Sequence, residues 1–271
     1  MAHAVATHYA GDDDLAAAIA ARFRQAGKDP GALRAADLAA VDEFHIRGRK
    51  ATLELAGALG LDAASHLLDI GSGLGGPART VAEAHGCRVT GLDLTQAFCD
   101  AAAAMSGWVG LGDQVAFRQG DATALPFGDA SFDAAMTVHA AMNIAAKDRM
   151  YAEARRVLKP GSRFGIYDVL QGEGGEVLFP VPWAREPSIS HLATPGDMLR
   201  LLAAAGFEVE TVEDSTEESL AWFEALVNRP APPVTFQTFL GDDFPAMSRN
   251  QVANLRDRRI RTVTYVCRTP G

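Results

Sequence analysis

Cysteine is scarce in this chain, which contains only three among 271 residues. Cys87, Cys99 and Cys267 are odd in number and lack the short spacings of metal-binding cysteines. The sequence therefore excludes a small disulfide-stapled fold and gives no support for a zinc or iron–sulfur site. We expect three reduced thiols and no resident metal.

An excess of positive charge is also missing. The chain has 25 Lys and Arg against 34 Asp and Glu, a formal net charge of −9. This balance disfavours proteins that bind nucleic acid through its phosphate backbone. No segment has the length and purity of a membrane span, and the first residues lack the basic-then-apolar order of a signal peptide. We expect a cytoplasmic monomer or homodimer without nucleic-acid or membrane partners.

What the chain does contain is a glycine-rich turn after a short apolar run. Residues 67–70 fit a strand buried on both faces, and Gly71, Gly73 and Gly76 follow it. Pro77 suits the first position of a helix. Such a turn brings a helix N-terminus to the carboxyl end of a strand, where open α/β sheets bind ligands. With 48% hydrophobic residues, the sequence predicts one α/β domain.

The glycines fit two motifs. Gly71, Gly73 and Gly76 match the G-x-G-x-x-G pattern of dinucleotide-binding proteins. The run Asp69-x-Gly71-x-Gly73-x-Gly75 resembles the first motif of class I S-adenosylmethionine (SAM) dependent methyltransferases. This resemblance implies a seven-stranded, mostly parallel Rossmann-like sheet with helices on both faces. It also implies that the N–H groups of the loop meet the carboxylate of the ligand, while Asp69 orients the loop or reaches the ligand ammonium through water.

Two further acids follow predicted strands. Asp93 ends the second strand, where a carboxylate can accept both ribose hydroxyls of an adenosine. It could equally cap the next helix, and NAD enzymes use the same device. Residues 120–127 resemble the adenine-recognition turn of the methyltransferase family, in which Asp121 and the Ala122 N–H contact the base. The alternative is an ordinary polar turn in which Asp121 bonds its own backbone.

The resemblance implies SAM as the cofactor, with S-adenosylhomocysteine (SAH) as its product. We expect contacts from the N-terminal segment and from the ends of several strands. The expected cofactor-binding residues are Tyr9, His45, Asp69, Gly71, Ser72, Gly73, Asp93, Leu94, Asp121, Ala122 and His139.

Residues 41–48, which we call the arm, precede the first strand and can fold over the cofactor site. The pattern Glu-Phe-His-Ile-x-Gly, with His8 and Tyr9 upstream, resembles the N-terminal arm of N-methyltransferases of glycine, sarcosine and dimethylglycine. This resemblance implies that His45 contacts the cofactor and Phe44 the substrate. The alternative is that Phe44 and Ile46 fill the core while His45 is exposed.

A candidate base lies where the fourth predicted strand ends. His139 has an ordinary pKa near neutrality, and Asp168 near the end of the next strand could orient or activate it. A comparable pair occurs in similar sugar O-methyltransferases. The alternative is that His139 only bonds a backbone group or lines the methionine pocket, because N-methylation of a neutral amine needs no base. Asn143 would hold a polar substrate group or cap the next helix.

Residues 171–195, which we call the lid, are irregular and rich in glycine and proline. A long irregular connection in a compact domain is usually functional or disordered. We expect the lid to cover the substrate pocket, with Trp183 either contacting substrate or packing in the core. The single domain would then consist of a helical part over 1–60, a SAM-binding core over 61–170, the lid, and the rest of the sheet over 196–271.

These features predict a methyltransferase that uses SAM to methylate nitrogen or oxygen of a small molecule. The alternatives are an NAD-dependent oxidoreductase and a SAM-binding protein without catalysis. The acid before the first glycine and the turn over residues 120–127 speak against the oxidoreductase.

Overall fold

A single twisted sheet organises the fold in the computed structural model, which describes residues 14–227, 232–235 and 242–271. The strands are β1 His66–Ile70, β2 Arg88–Asp93, β3 Val115–Gln119, β4 Phe132–Val138, β5 Leu158–Gln171, β6 Glu208–Asp214 and β7 Ile260–Arg268. Their order in the sheet is β3-β2-β1-β4-β5-β7-β6. β7 is antiparallel to β5 and β6, and the other pairs are parallel. The predicted seven-stranded, mostly parallel sheet is confirmed.

Helices cover both faces of this sheet. They are α1 Leu15–Gln25, α2 Ala35–Asp42, α3 Gly48–Ala58, α4 Gly76–His85, α5 Gln96–Trp108, α6 Lys147–Val157, α7 Pro195–Ala204, α8 Thr216–Val227 and α9 Phe244–Arg256. Successive side chains of β1 point to opposite faces of the sheet. Leu67 packs with α3 and α4, whereas Leu68 packs with α6 and α7. No helix in the described ranges is long and apolar enough to cross a bilayer.

Irregular backbone marks two element boundaries. β5 begins at Leu158, and the Lys-Pro-Gly turn that follows forms an irregularity inside the strand. Phe132 of β4 pairs with Leu158, and the register then jumps so that Ala134 pairs with Arg163. α2 begins at residue 35, after a separate 3₁₀ turn over residues 30–32.

The chain order of the strands reverses between β1 and β4, which opens a crevice at their carboxyl ends. The arm, the lid and two helices from the β6–β7 connection gather there. These helices, α8 and α9, are called the cap. Residues 196–271 were expected to complete the sheet. They supply β6 and β7, and the cap between these strands also forms part of the wall above the crevice.

Candidate functional site

A cavity of about 1090 Å³ occupies the crevice. Its walls come from the turns after β1, β2, β3 and β4, and from the arm, the lid and the cap. The predicted site residues that line it are Phe44, His45, Gly71, Ser72, Gly73, Asp93, Leu94, Asp121, Ala122, His139, Asn143 and Trp183. Asp69 and Asp168 are buried but do not line it. Tyr9 lies outside the described residues.

Residues 71–75, the glycine loop, use their first N–H groups inside the protein. Gly71 and Ser72 both donate to the Leu92 carbonyl, at 2.8 and 3.0 Å. The Gly73 N–H donates to Asp93 Oδ2 at 2.9 Å. These three groups are therefore satisfied, which contradicts the expectation that they bind the carboxylate of the ligand. The loop lies beside the cavity with its donors already bonded.

The glycines shape this part of the wall in two different ways. Gly71 has φ +81°, and a Cβ there would lie 2.3 Å from the Ala140 Cβ, so the residue must be glycine for packing. Gly73 has φ +51°, and nothing lies within 4 Å of the Cβ it would carry. The open space at Gly73 is a cradle that a ligand can enter closely.

The carboxylates after β2 and β3 already accept backbone hydrogen bonds. Asp93 accepts the Gly73 N–H with Oδ2 and the Thr95 N–H with Oδ1, at 2.9 Å each. Asp121 Oδ1 accepts both the N–H and the hydroxyl of Thr123 at 2.8 Å. Asp93 thus caps the start of the next helix, and Asp121 bonds the backbone of its own turn, as the two alternatives expected. Each carboxylate oxygen has two lone pairs, so both side chains keep capacity to accept ligand hydroxyl or amino groups.

Asp69 lies under the glycine loop and is 1% exposed. Burial, with Glu43 and Asp93 nearby, raises its pKa to about 8. At neutral pH the side chain is therefore mostly protonated. Its Oδ2, like the Oγ of Ser72, is buried without a hydrogen-bond partner among the described residues. The open hydroxyl of Ser72, the cradle and the two acids Asp93 and Asp121 fit an adenosyl ligand with several hydroxyl and amino groups.

The arm is held against the core by buried polar contacts. Asp42 forms an ion pair of 2.6 Å with Arg79, whose side chain is fully buried. Glu43 accepts hydrogen bonds from Thr52, Thr80 and His45, the last at 2.8 Å.

His45 itself is 8% exposed and lines the cavity, so the alternative of an exposed His45 is wrong. Ile46 is 2% exposed and packs in an apolar cluster, as that same alternative expected of it.

His139 follows β4 with a left-handed backbone, φ +49°. Its ring packs 4.9 Å from the ring of Tyr167 and 5.8 Å from the ring of His45. Burial holds the pKa of His139 well below its ordinary value, and His45 lowers it further. Nε2 is buried without a partner among the described residues. His139 is therefore a neutral imidazole at physiological pH with a nitrogen available to a ligand.

Asp168 does not meet His139. The His139 ring packs on Tyr167, and the next residue of β5 points to the opposite face of the sheet. Asp168 instead accepts the Val169 N–H at 2.9 Å. Burial raises its pKa to about 7, against the lowering effect of Lys147. The predicted catalytic pair is wrong because strand alternation separates neighbours that the sequence places side by side.

The lid is fastened to the turn after β4. Asn143 Nδ2 donates to the carbonyls of Trp183 and Ile189, at 2.8 and 2.9 Å. Trp183 is 1% exposed, and its Nε1 donates to Ser190 Oγ at 3.0 Å. The amide nitrogen of Asn143 is thus occupied by the lid, not free for a substrate. Trp183 is buried in the core, as one alternative expected, and it also lines the cavity, so its contact with substrate stays a prediction.

The cap residues that line the cavity were not predicted from the sequence. Trp222 and Phe223 of α8 and Phe244 of α9 line the cavity together with Gln251. The available signal was the 45-residue connection between β6 and β7, residues 215–259, with adjacent aromatic residues on its first helix. Periodicity alone could not tell this aromatic pair from ordinary core packing.

The central part of the chain matches a known protein family. Residues 68–166 match the family model described as "Methyltransferase domain" (Methyltransf_11). The sterol 24-C-methyltransferase of Eremothecium gossypii is 32% identical over 184 residues, which cover 64% of this chain and 48% of that protein. The chain spans about half or less of the length of the curated relatives it matches.

Solved structures share the fold across nearly the whole chain. The [4+2]-cyclase SpnF is 26% identical and has a TM-score of 0.67, covering 95% of this chain and 94% of its own. Geranyl diphosphate C-methyltransferase from Streptomyces coelicolor A3(2), solved with Mg²⁺, geranyl diphosphate and SAH, has a TM-score of 0.67 at 19% identity. It covers 81% of this chain and 77% of its own. Residues 68–166 are therefore similar to a methyltransferase domain of type 11, and the fold is the one that the sequence motifs predicted.

Proposed function

We propose that this protein transfers the methyl group of SAM to a small-molecule acceptor. One observation carries the proposal. A single cavity joins the glycine loop, Asp93 and Asp121 on one side to the arm, the lid and the cap on the other. One part of this space has the acids and open groups that suit an adenosyl ligand, and the other has apolar walls. Both reactants would therefore share one enclosed space.

SAM, when bound, supplies a methyl group on a positively charged sulfur. The protein orients the reactants and excludes water from them. Asp93 would accept from the ribose hydroxyls and Asp121 from the adenine amino group, while the cradle at Gly73 admits the ligand closely. The arm, lid and cap enclose the reacting atoms and exclude water, which is the main help that an in-line displacement needs.

His139 is the proposed proton acceptor when the acceptor group is a hydroxyl. Its imidazole is neutral at physiological pH because burial and His45 lower its pKa. It would act without Asp168, with Tyr167 and His45 fixing the ring by packing. Transfer to nitrogen or oxygen, a monomeric or dimeric state and a cytoplasmic location all stay predictions. The Eremothecium relative is named as a C-methyltransferase, so carbon belongs among the acceptor atoms to be tested.

Calorimetric titration with SAM, SAH and NADH tests the cofactor. We expect SAM and SAH to bind and NADH not to bind. Asp93→Ala and Asp121→Ala should each weaken SAH binding about tenfold or more, because each removes an acceptor for ligand groups. Asp113→Ala, an exposed acid away from the cavity, is the matched control. Unchanged affinity in both site variants, or preference for NADH, would reject the proposal.

A cyclase is the second candidate function. SpnF, a [4+2]-cyclase, matches 95% of this chain at 26% identity. The acceptor side of the cavity is apolar and its histidine is a weak base, as a reaction without proton transfer would permit. Mass spectrometry of the product separates the two functions. Methyl transfer adds 14 mass units and releases SAH in equal amount, whereas cyclisation leaves the mass unchanged and consumes no SAM.

A further inference from the structure

The lid and the cap contribute no charged side chain to the cavity among the residues that the structure describes. Their main lining residues are Trp183, Trp222, Phe223, Leu226, Phe244 and Val252. An ionised group placed against such walls loses its hydration without gaining a partner, which costs several kcal/mol. The acceptor side therefore favours a ligand that brings no charge.

The cations that line the described part of the cavity all come from the arm and the start of α3, and each is paired. Arg47 contacts Glu54 and Glu218, at 2.5 and 2.6 Å, and its side chain is 5% exposed. Arg49 pairs with Glu83, and Lys50 lies 3.4 Å from Glu54. A phosphate or carboxylate on the ligand would have to compete with carboxylates already in place.

The lining acids are engaged as well. Asp42 pairs with Arg79, and Glu43 accepts from three side chains including His45. Asp93 and Asp121 accept backbone N–H groups of the cofactor-side turns. None of these acids lies on the lid or the cap. A protonated amine in the apolar part of the cavity would therefore find no carboxylate within those walls.

The cap also lines the cavity with the uncharged polar residues Ser248 and Gln251, and His139 adds a buried ring nitrogen. His139 lies on the turn after β4 that also carries Met142 and Asn143, beside the lid, and it lines the cavity. Its Nε2 is buried and has no partner among the described residues. A buried, unpaired nitrogen costs free energy unless a ligand bonds it. A hydroxyl on an otherwise apolar ligand satisfies this requirement.

We propose that the methyl acceptor is an uncharged, largely apolar alcohol, with its hydroxyl at His139 and its carbon skeleton between the lid and the cap. This inference rests on the proposed function. It excludes phosphorylated, carboxylated and zwitterionic amino-acid acceptors. It therefore departs from the resemblance of the arm to glycine and sarcosine N-methyltransferases.

Three probes with one carbon skeleton test it: farnesol, farnesyl diphosphate and farnesylamine. The protein is first saturated with SAH, and binding is followed by quenching of tryptophan fluorescence. Trp183→Phe shows how much of the signal comes from the lid. We expect farnesol to bind at least tenfold more tightly than either charged probe. Equal or tighter binding of the diphosphate or the amine, or no binding of farnesol, overturns the inference. Failure of SAH to bind instead rejects the proposed function.

The arm ion pairs offer a second test. Glu54→Gln with Glu218→Gln leaves the Arg47 guanidinium without its two carboxylates. Affinity for farnesyl diphosphate should then rise about fivefold while affinity for farnesol stays the same. Glu217→Gln is the matched control, since Glu217 is exposed and pairs with Arg258 away from Arg47. No gain in a variant that still binds SAH would contradict the role of these ion pairs.

Discussion

On the cofactor side of the site, Asp69 has an unusual charge state: its carboxyl group is mostly protonated at neutral pH. Its folded-state pKa of about 8 lies far above the ordinary value of 3.8, with burial as the largest cause. Between these values the unfolded chain carries an ionised Asp69 while the folded protein holds the proton. Folding must then take up a proton, so this residue stabilises the fold less as the pH rises from 3.8 towards 8.

Asp69→Asn should therefore stabilise the protein increasingly with pH. Each pH unit in this window costs the wild type between about 1 and 2 kcal/mol, so the free-energy advantage of the variant should grow by about 3 kcal/mol from pH 5 to pH 7. Urea unfolding of both proteins at pH 5, 6 and 7 measures this difference. Asp113→Asn, with an exposed carboxylate, should show no such trend. A constant advantage for Asp69→Asn would mean that the residue is ionised in the folded state.

Two glycines of the same loop should respond differently to alanine. Gly71→Ala adds a left-handed strain and a clash with Ala140, and should cost about 2–5 kcal/mol of unfolding free energy. Gly73→Ala meets no neighbour and should cost about 1–2 kcal/mol. Its methyl group instead enters the cradle, so SAH affinity should fall at least tenfold. Unfolding and calorimetry measure the two effects, and full SAH affinity in Gly73→Ala would place the ligand elsewhere.

At the scale of elements, the turn after β4 holds the lid through one side chain. Asn143→Asp keeps the size of the side chain but removes the N–H donors that bind the carbonyls of Trp183 and Ile189. Two lost hydrogen bonds of about 1 kcal/mol each should raise lid opening about tenfold or more. Hydrogen exchange over residues 178–191 should speed up accordingly, while SAH affinity stays within about twofold.

The matched control for the lid is Ser188→Ala, which removes only an exposed contact to Glu186. Unchanged exchange in Asn143→Asp would show that apolar packing of Trp183 alone closes the lid. Faster exchange with strongly weakened SAH binding would instead show that Asn143 supports the cofactor side.

The strand ends explain which parts of the site were predictable. Glycine and acid positions after β1, β2 and β3 follow from local sequence, because these residues act where the chain turns. The separation of His139 from Asp168 was not predictable, since it depends on which face of β5 each side chain meets. Asn143 was predicted to hold a substrate group or to cap the next helix, and its amide nitrogen instead holds the lid, a contact across about 40 residues of chain.

At the scale of the whole molecule, the cavity borders the core, the arm, the lid and the cap. A ligand there should stabilise the protein as one unit. SAH at a hundred times its dissociation constant adds about 2.7 kcal/mol, which for a chain of this size raises the melting temperature by about 5–10 °C. Calorimetry should show one transition that moves upward as a whole. A second transition that ignores SAH would mean that part of the chain unfolds independently of the cavity.

The sequence by itself determined the sheet and the cofactor side, because both depend on short-range patterns. Buried apolar runs specify strands, glycines specify the sharp turn, and acids at strand ends specify polar contacts next to it. Only the tertiary structure decided the acceptor side. Its walls come from segments as far apart as Phe44, Trp183, Trp222 and Phe244, and packing alone brings these residues together. The same packing decided the ionic state of Asp69 and His139, since burial arises only in the folded chain.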